Sequence, residues 1–335
     1  MAIEKILIIR FSSIGDIVLT TPVLRTLKQQ WPEVQLHYLV KKQYAPVLAA
    51  NPYIDRLHLY DHNFRELMPQ LKAEGFTHII DLHRNYRSSF VKQHFRVPAY
   101  SFPKINIRKW FAVKLKWNVL PDIHIVDRYF KAVRPLGIVN DHLGLDYFIP
   151  PADHVNPDML PVSHQQGFVA VVTGARHHTK IFPAEKVAEV LHKLGKPAIL
   201  LGGAEDKKTG ELIAATNPRL ILNYCGTINL NQSASLVHDS VAVLTNDTGL
   251  MHIAAAFSKP MVSVWGNTVP EFGMYPCYPA ETRPESMIAE VKHLSCRPCS
   301  KIGHHQCPKK HFRCMNDIDT EPIAAFLAKQ FNNIV

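Results

Sequence analysis

The sequence predicts an α/β protein made of two Rossmann-like, doubly wound domains. Three observations carry that expectation. Short apolar runs alternate with helical patterns through both halves of the chain, and such alternation builds a parallel sheet with helices on both faces. The 335 residues suit two domains of roughly 150 each better than one. The alternation lapses once, over 148–166, where Pro150, Pro151, Pro157 and Pro161 read as a linker. The expected division is 1–155 and 156–318, with a closing helix in 319–335 packing back on the first domain.

In the first half, strands are expected over 6–10, 34–40, 56–60 and 77–82, with a helix over 64–74 between the last two. A turn after the first strand leads into a helical pattern reaching Leu27, which Pro22 should kink or break. Residues 106–117 form an amphipathic pattern, with Ile107, Trp110, Phe111, Val113 and Leu115 among basic residues. This segment reads as a packed surface helix, a membrane-leaning one being the alternative. In the second half, strands over 168–173, 198–202, 220–224, 241–245 and 261–265 alternate with helices over 184–194, 205–216, 230–239 and 249–257. A helix over 321–331 follows. In doubly wound folds ligands sit at the carboxyl ends of the strands, which here predicts a site in a cleft between the halves.

Composition excludes several classes. With 47% hydrophobic and 20% charged residues the chain is an ordinary globular sequence. No apolar run approaches the ~20 residues of a membrane-spanning helix. The start, Met1 to Arg10, lacks the basic lead and long apolar stretch of a signal peptide, so a cytoplasmic location is expected. The net charge of +10 favours an anionic partner: nucleic acid, an acidic membrane or a phosphorylated small molecule. Arg84, Arg87, Lys92, Arg96, Lys104, Arg108, Lys109, Lys114 and Lys116 enrich one stretch of the first half. Neither zinc-finger spacing nor an interleaved aromatic-basic RNA signature is present, so nucleic acid is not expected.

Four stretches carry chemistry. Arg10-Phe11-Ser12-Ser13-Ile14-Gly15-Asp16 follows the first strand. Small residues at a strand-to-helix turn let backbone N–H groups approach an anion, while the plainer role of Asp16 is to cap the next helix. No Gly-Lys-Ser/Thr ending makes this a Walker loop. Asp81-Leu82-His83-Arg84-Asn85 ends another strand, placed either to line a ligand site or to satisfy its own turn. Thr173-Gly174-Ala175 through Lys180 opens the second domain as a plausible phosphate cradle, and Glu205 in Gly202-Gly203-Ala204-Glu205 is placed to accept a ribose hydroxyl. Asn246-Asp247-Thr248-Gly249-Leu250-Met251-His252 joins a strand to a small-residue helix. There Asp247 and Thr248 can cap, amides can meet an anion, and His252 lies on the face of Thr248. Trp265-Gly266-Asn267-Thr268-Val269-Pro270 follows the last of these strands.

In order and spacing, these stretches resemble the ADP-heptose:lipopolysaccharide heptosyltransferases, glycosyltransferase family 9, over essentially the whole chain. The resemblance implies a GT-B fold and transfer of heptose from ADP-heptose to the lipopolysaccharide inner core, with inversion and no required cofactor. It implies Asp16 as general base. It puts Lys180, Thr248, Gly249 and His252 at the donor diphosphate, Asp247 near the donor, and Thr173, Gly174, Glu205 and Met251 in the nucleotide-sugar site. Ser13, Gly15, His83, Arg84 and Asn85 fall on the acceptor side. The implied partners are the nucleotide sugar, a lipopolysaccharide core or lipid A precursor, and the cytoplasmic face of the inner membrane; oligomeric state is unreadable. The rivals are a GT-B transferase or epimerase using another nucleotide sugar, and a non-catalytic nucleotide-binding protein at the membrane. Cys296, Cys299, Cys307 and Cys314, with His304, His305 and His311 interspersed, offer a structural Zn²⁺ site of non-standard spacing. Reduced thiols or a redox-sensitive pair are the favoured reading in a cytoplasmic protein. Cys225 and Cys277 read as packing residues.

Overall fold

The computed structural model describes residues 4–332. Met1, Ala2 and Ile3, part of the reading of the chain's start, and 333–335, the end of the expected terminal helix span, lie outside the described residues.

The chain divides into two compact units. The first comprises the chain through Lys104, Ile123–Pro150 and Pro279–Glu281; the second comprises Ile105–Asp122, Pro151–Tyr278 and the chain from Thr282 onward. The first holds a parallel sheet of β1 (Lys5–Ile9), β2 (Gln35–Lys41), β3 (Arg56–Tyr60), β4 (His78–Asp81) and β5 (Ala99–Ser101), in the order β3-β2-β1-β4-β5. Ile6 pairs with Leu36 on one side and His78 on the other. Ile6, Leu7, Ile8 and Ile9 are fully buried, as a central strand covered on both faces must be. Helices α1 (Ile14–Val18), α2 (Thr21–Gln30), α3 (Phe64–Ala73) and α4 (Tyr86–Gln93) follow in this unit. α5 (Asn106–Lys114) is grouped with the second unit, and α6 (Ile125–Val133) returns to the first. The predicted break at Pro22 is present. α1 stops at Val18 and α2 begins with Pro22 in its first turn, where its missing N–H costs no hydrogen bond.

The second unit holds β6 (Val169–Val172), β7 (Ala198–Leu201), β8 (Ile221–Asn223), β9 (Ala242–Asn246), β10 (Met261–Trp265) and β11 (Ser286–Glu290), in the order β11-β10-β9-β6-β7-β8. Its helices are α7 (Val162–Gln165), α8 (Ala184–Leu194), α9 (Lys207–Ala214), α10 (Leu230–Asp239), α11 (Gly249–Ala256), α12 (Arg313–Asn316) and α13 (Glu321–Asn332). Chain order reverses between β1 and β4 in one sheet and between β6 and β9 in the other. Ligands bind at the carboxyl ends of strands at such switch points, and all four motif stretches leave β1, β4, β6 or β9.

Three expectations need correction. α13 belongs to the second unit: Ile323, Ala324 and Leu327 join its core beside Val187, Leu191 and Leu194 of α8. The proline-rich stretch is no loose linker. Asp153 accepts hydrogen bonds from Asn229 and Asn231, and the Val155 N–H donates to Ser235 Oγ, so it is tied to α10 and its cap. The 106–117 pattern is helical to Lys114, but most of its large apolar side chains face solvent.

Candidate active site

In the first unit the site is organised by a residue the sequence reading passed over. Arg10, at the end of β1, is almost wholly buried. Its guanidinium donates to the carbonyls of Ser12 (2.8 Å) and Leu82 (2.6 Å) and to Tyr129 Oη (3.0 Å). Its remaining terminal nitrogen pairs with Asp16 Oδ1 at 2.7 Å. Burial opposes the charge, but Asp16, Tyr129 and Tyr38 outweigh it and hold the guanidinium above its ordinary range. Burial likewise pushes Tyr129 up to about 12, against the pull of Arg10.

Asp16 is therefore not the N-cap of α1. That position is Ser13, whose backbone N–H (3.3 Å) and hydroxyl (2.9 Å) both donate to Asp16 Oδ2 from one turn back. Ser13 thus fixes one carboxylate oxygen and Arg10 the other, while the side chain keeps 24% of its surface exposed. Gly15 is buried inside α1.

The β4 turn carries the other half of this cluster. Asp81, fully buried, accepts the N–H groups of His83 (3.0 Å) and Arg84 (2.6 Å), the Ser88 hydroxyl (2.8 Å) and the Lys92 ammonium (2.8 Å). Asn85 caps α4 through Ser88, and Arg84 donates to the Phe102 carbonyl. Asn85 thus has the plain structural role, whereas His83 does not. Its ring stands edge-on to Phe11 at 5.4 Å, and its buried Nδ1 has no hydrogen-bond partner. Burial, reinforced by Arg10 and Lys104, lowers it to about 3, so it is neutral at physiological pH. Burial and Arg10 also lower half-buried Lys104, which Asp81 and Asp16 partly stabilise. Arg10, Lys104, Arg84, Asp16 and Asp81 form one electrostatic neighbourhood around His83.

In the second unit the β6 and β9 turns meet. Asn246, 1% exposed, donates to the carbonyls of Val172, Thr173 and Gly174 and accepts the Phe182 N–H. Thr173 Oγ1 lies 3.3 Å from the Leu201 carbonyl and from Cys225 Sγ. Gly174 leaves room for Asp206: a Cβ there would lie 1.9 Å from its Oδ2. Asp206, raised by burial and by the neighbouring Glu205, accepts the Gly203 N–H at 2.8 Å, which works the other way. Glu205 stays exposed on the same turn.

Lys180 closes this cluster. Its ammonium donates to Asp247 Oδ2 (2.5 Å) and to the Asp247 carbonyl (3.4 Å), and Thr268 Oγ1 donates to the same Oδ2 at 2.8 Å. An ammonium has three donors, so a third remains for an anion.

Thr248 is the N-cap of α11 by position, yet its hydroxyl makes no capping bond and its buried Oγ1 has no partner. The amides of Gly249, Leu250 and Met251, in the first turn, are thus not closed by a side chain, and such amides attract anions. Met251 side-chain contact with a ligand is not available, since that side chain is fully enclosed; its backbone N–H is the group it offers. His252 is only 2% exposed. Asn267 is fully buried with neither amide atom hydrogen-bonded. The orphans Thr248 Oγ1 and Asn267 thus follow Asp247 and precede Thr268 directly in sequence. Arg10, Lys104, Asn246, Asn267 and Thr268 are the residues sequence reasoning missed. Their signal lay inside or beside the motifs, but only the fold turns them inward.

All six cysteines are free thiols. Burial raises Cys314 to about 12, and Cys299, Cys307 and Cys296 add to the rise. Cys296 Sγ lies 3.8 Å from His311 Nε2. Among the described residues, only His37, His58 and Glu74 gather three possible ligand atoms within one metal-sized sphere; the four C-terminal cysteines do not.

Two doubly wound parallel-sheet units with polar clusters at their strand ends match the GT-B architecture of glycosyltransferases. The model of glycosyltransferase family 9 (heptosyltransferase) matches residues 64–310, most of the chain, and the chain belongs to that family of enzymes. It is 27% identical over 303 residues to lipooligosaccharide heptosyltransferase 2 of Haemophilus ducreyi, covering 80% of this chain and 85% of that one. The ADP-heptose LPS heptosyltransferase II structure of Escherichia coli superposes with a TM-score of 0.75 at 20% identity, over 98% of this chain and 99% of that one. A family 9 glycosyltransferase of Veillonella parvula gives 0.79 at 20%, over 99% and 98%. The family match contains the Lys180–Asp247–Thr268 cluster and begins after Asp16.

Proposed function

We propose that this enzyme transfers a heptosyl group from ADP-heptose to a lipopolysaccharide inner-core acceptor, with inversion, at the cytoplasmic face of the inner membrane. The observation that carries the reading is the Asp16 carboxylate. It is oriented at both oxygens by Arg10 and Ser13 and still reachable by solvent. A binding protein needs no such group, whereas an acceptor hydroxyl attacking an anomeric carbon must lose a proton. Arg10 and Ser13 hold the two oxygens of Asp16 in place. A single displacement by that oxygen inverts the anomeric centre.

His83, Lys104 and Arg84 surround Asp16 with neutral donor and positive groups suited to an acceptor rich in carboxylate and phosphate; Ser13, Gly15 and Asn85 shape the turns that hold them. On the donor side the departing diphosphate gains charge. Lys180, the first amides of α11 at Gly249, Leu250 and Met251, and the Thr248 hydroxyl answer it. Asp247 positions Lys180. Thr173 and Gly174 hold the β6 turn, His252 stands one turn into α11 on the diphosphate side, and Glu205 is open to a ribose hydroxyl. No cofactor is assigned a step. The relatives' names, which specify heptose and, for the solved E. coli protein, ADP-heptose, support the donor.

The test is product formation by the purified protein with a heptose-free core acceptor. ADP-heptose should yield one heptosylated product of inverted anomeric configuration by NMR, and UDP-hexoses none. Product from UDP-hexoses alone would assign the enzyme to another sugar.

A further inference from the structure

Between Pro103 and Pro121 the chain carries Lys104, Arg108, Lys109, Lys114 and Lys116 and no acidic residue. The inner side of this segment is fastened to the second unit. Ala112 is buried, and Lys109 lies over the Phe272 ring at 4.8 Å. Lys116 donates to the carbonyls of Cys296 (3.0 Å) and Pro298 (2.7 Å), and Lys301 donates to that of Asn106 (3.0 Å). Phe111 and Trp117 stack with ring planes 5° apart, 6.1 Å between centroids. The segment is therefore held in place, yet its outer side is apolar. Ile107 is 75% exposed, Trp117 60%, and Trp110, Leu115 and Val119 are each more than two-fifths exposed. Ile107, Trp110 and Lys114 lie on one helical stripe, with Arg108 and Lys114 exposed beside them.

Five large apolar side chains in thirteen residues form a patch that a soluble surface rarely leaves uncovered. Its chemistry selects the cover. Tryptophans bordered by Lys and Arg are the side chains that settle at the headgroup level of a bilayer. A second copy would bring the same unbalanced positive charges face to face across a self-complementary contact. An anionic lipid surface supplies the missing charge instead. We infer that the segment from Asn106 to Leu120 is a membrane-contact element, seating Ile107, Trp110 and Trp117 in the interface of an anionic bilayer with Arg108 and Lys114 at its phosphates. The inference rests on the proposed function to the extent that a lipid-borne acceptor gives the enzyme a reason to be there.

The experiment is cosedimentation of the full chain with vesicles of phosphatidylethanolamine and phosphatidylglycerol, against vesicles of phosphatidylcholine. Binding should favour the anionic vesicles, weaken with salt and shift tryptophan emission to the blue. Ile107→Ser/Trp117→Ser and, separately, Arg108→Glu/Lys114→Glu should each weaken it about tenfold or more, with unchanged transfer to a deacylated, water-soluble acceptor. Should the serine pair impair folding, the charge pair, confined to exposed side chains, carries the test alone. No preference of the wild type for anionic vesicles, or wild-type binding by the charge pair, overturns the inference. So does a dimer that the substitutions disperse while vesicle binding stays the same. Vesicle binding needs no sugar, so a wild-type protein that transfers but shows no preference for anionic vesicles rejects only this surface. Absent transfer with intact vesicle binding rejects only the proposed function.

Discussion

At the residue scale, the site is built from polar groups whose partners are either fully specified or missing. Asp16 is of the first kind, and Asn267 and Thr248 are of the second. A buried polar group without a partner costs about 1–3 kcal/mol. Asn267, with both amide atoms unpaired and no exposed surface, is thus a stability cost beside Thr268 and the Lys180–Asp247 pair. Asn267→Leu, close in volume, should raise the ligand-free denaturation midpoint, equivalent to about 1–2 kcal/mol, and weaken ADP affinity measured by calorimetry. A lower midpoint with unchanged affinity would show the amide to be satisfied in the ligand-free protein. None of this was legible in the chain: Asn267 and Thr248 stood inside recognised motifs, but a missing partner is a property of the packed environment.

At the element scale, turns do the positioning. The β6 turn owes its glycine to Asp206 as much as to any ligand. Gly174→Ala would place a methyl against a short, buried carboxylate already held by Gly203. It should destabilise by about 1–3 kcal/mol, and Gly174→Ala/Asp206→Ala should recover part of the loss in thermal unfolding; no recovery would contradict this packing account. The β2–β3 pair makes a pH prediction. His37 Nδ1 lies 2.9 Å from His58 Nε2, and burial, with repulsion from His37, lowers His58 to about 4. The unfolded chain takes up this proton near pH 6.5 but the folded one resists until about 4. The stabilisation is therefore complete above 6.5 and lost as pH falls through that window, on the order of 3 kcal/mol. Denaturant titrations should show the decline in the wild type and a flatter one in His58→Phe; parallel curves would assign the decline elsewhere. The major strands could be read from apolar runs because parallel strands are buried on both faces. β5, three residues long, and β11, with Ser286, Glu290 and an exposed Ile288, are edge strands that lack that signature. α6 was overlooked although its buried Tyr129 orients Arg10.

At the scale of the whole molecule, two parallel sheets and their switch points followed from the alternation of elements, and the four main motif stretches leave the strands at those switch points. The placement of two segments did not follow. Periodicity shows that α13 and the 106–117 segment have apolar sides, but not which core receives them. α13 completes the second core, and α5 keeps much of its apolar surface outward. The identity of the sugar is the least physical part of the account, because diphosphate recognition by amides and a lysine is common to many nucleotide sugars. Chemistry on the acceptor is its central claim, and Asp16→Asn tests it most directly. Asn keeps the size of the side chain and can still accept from Ser13, while losing the charge that pairs with Arg10 and takes the proton. With ADP-heptose and core acceptor, single-turnover transfer should fall by at least about 10²-fold, with ADP affinity and the folded circular-dichroism spectrum retained. Transfer within a few-fold of wild type in that folded, ADP-binding variant would contradict the account.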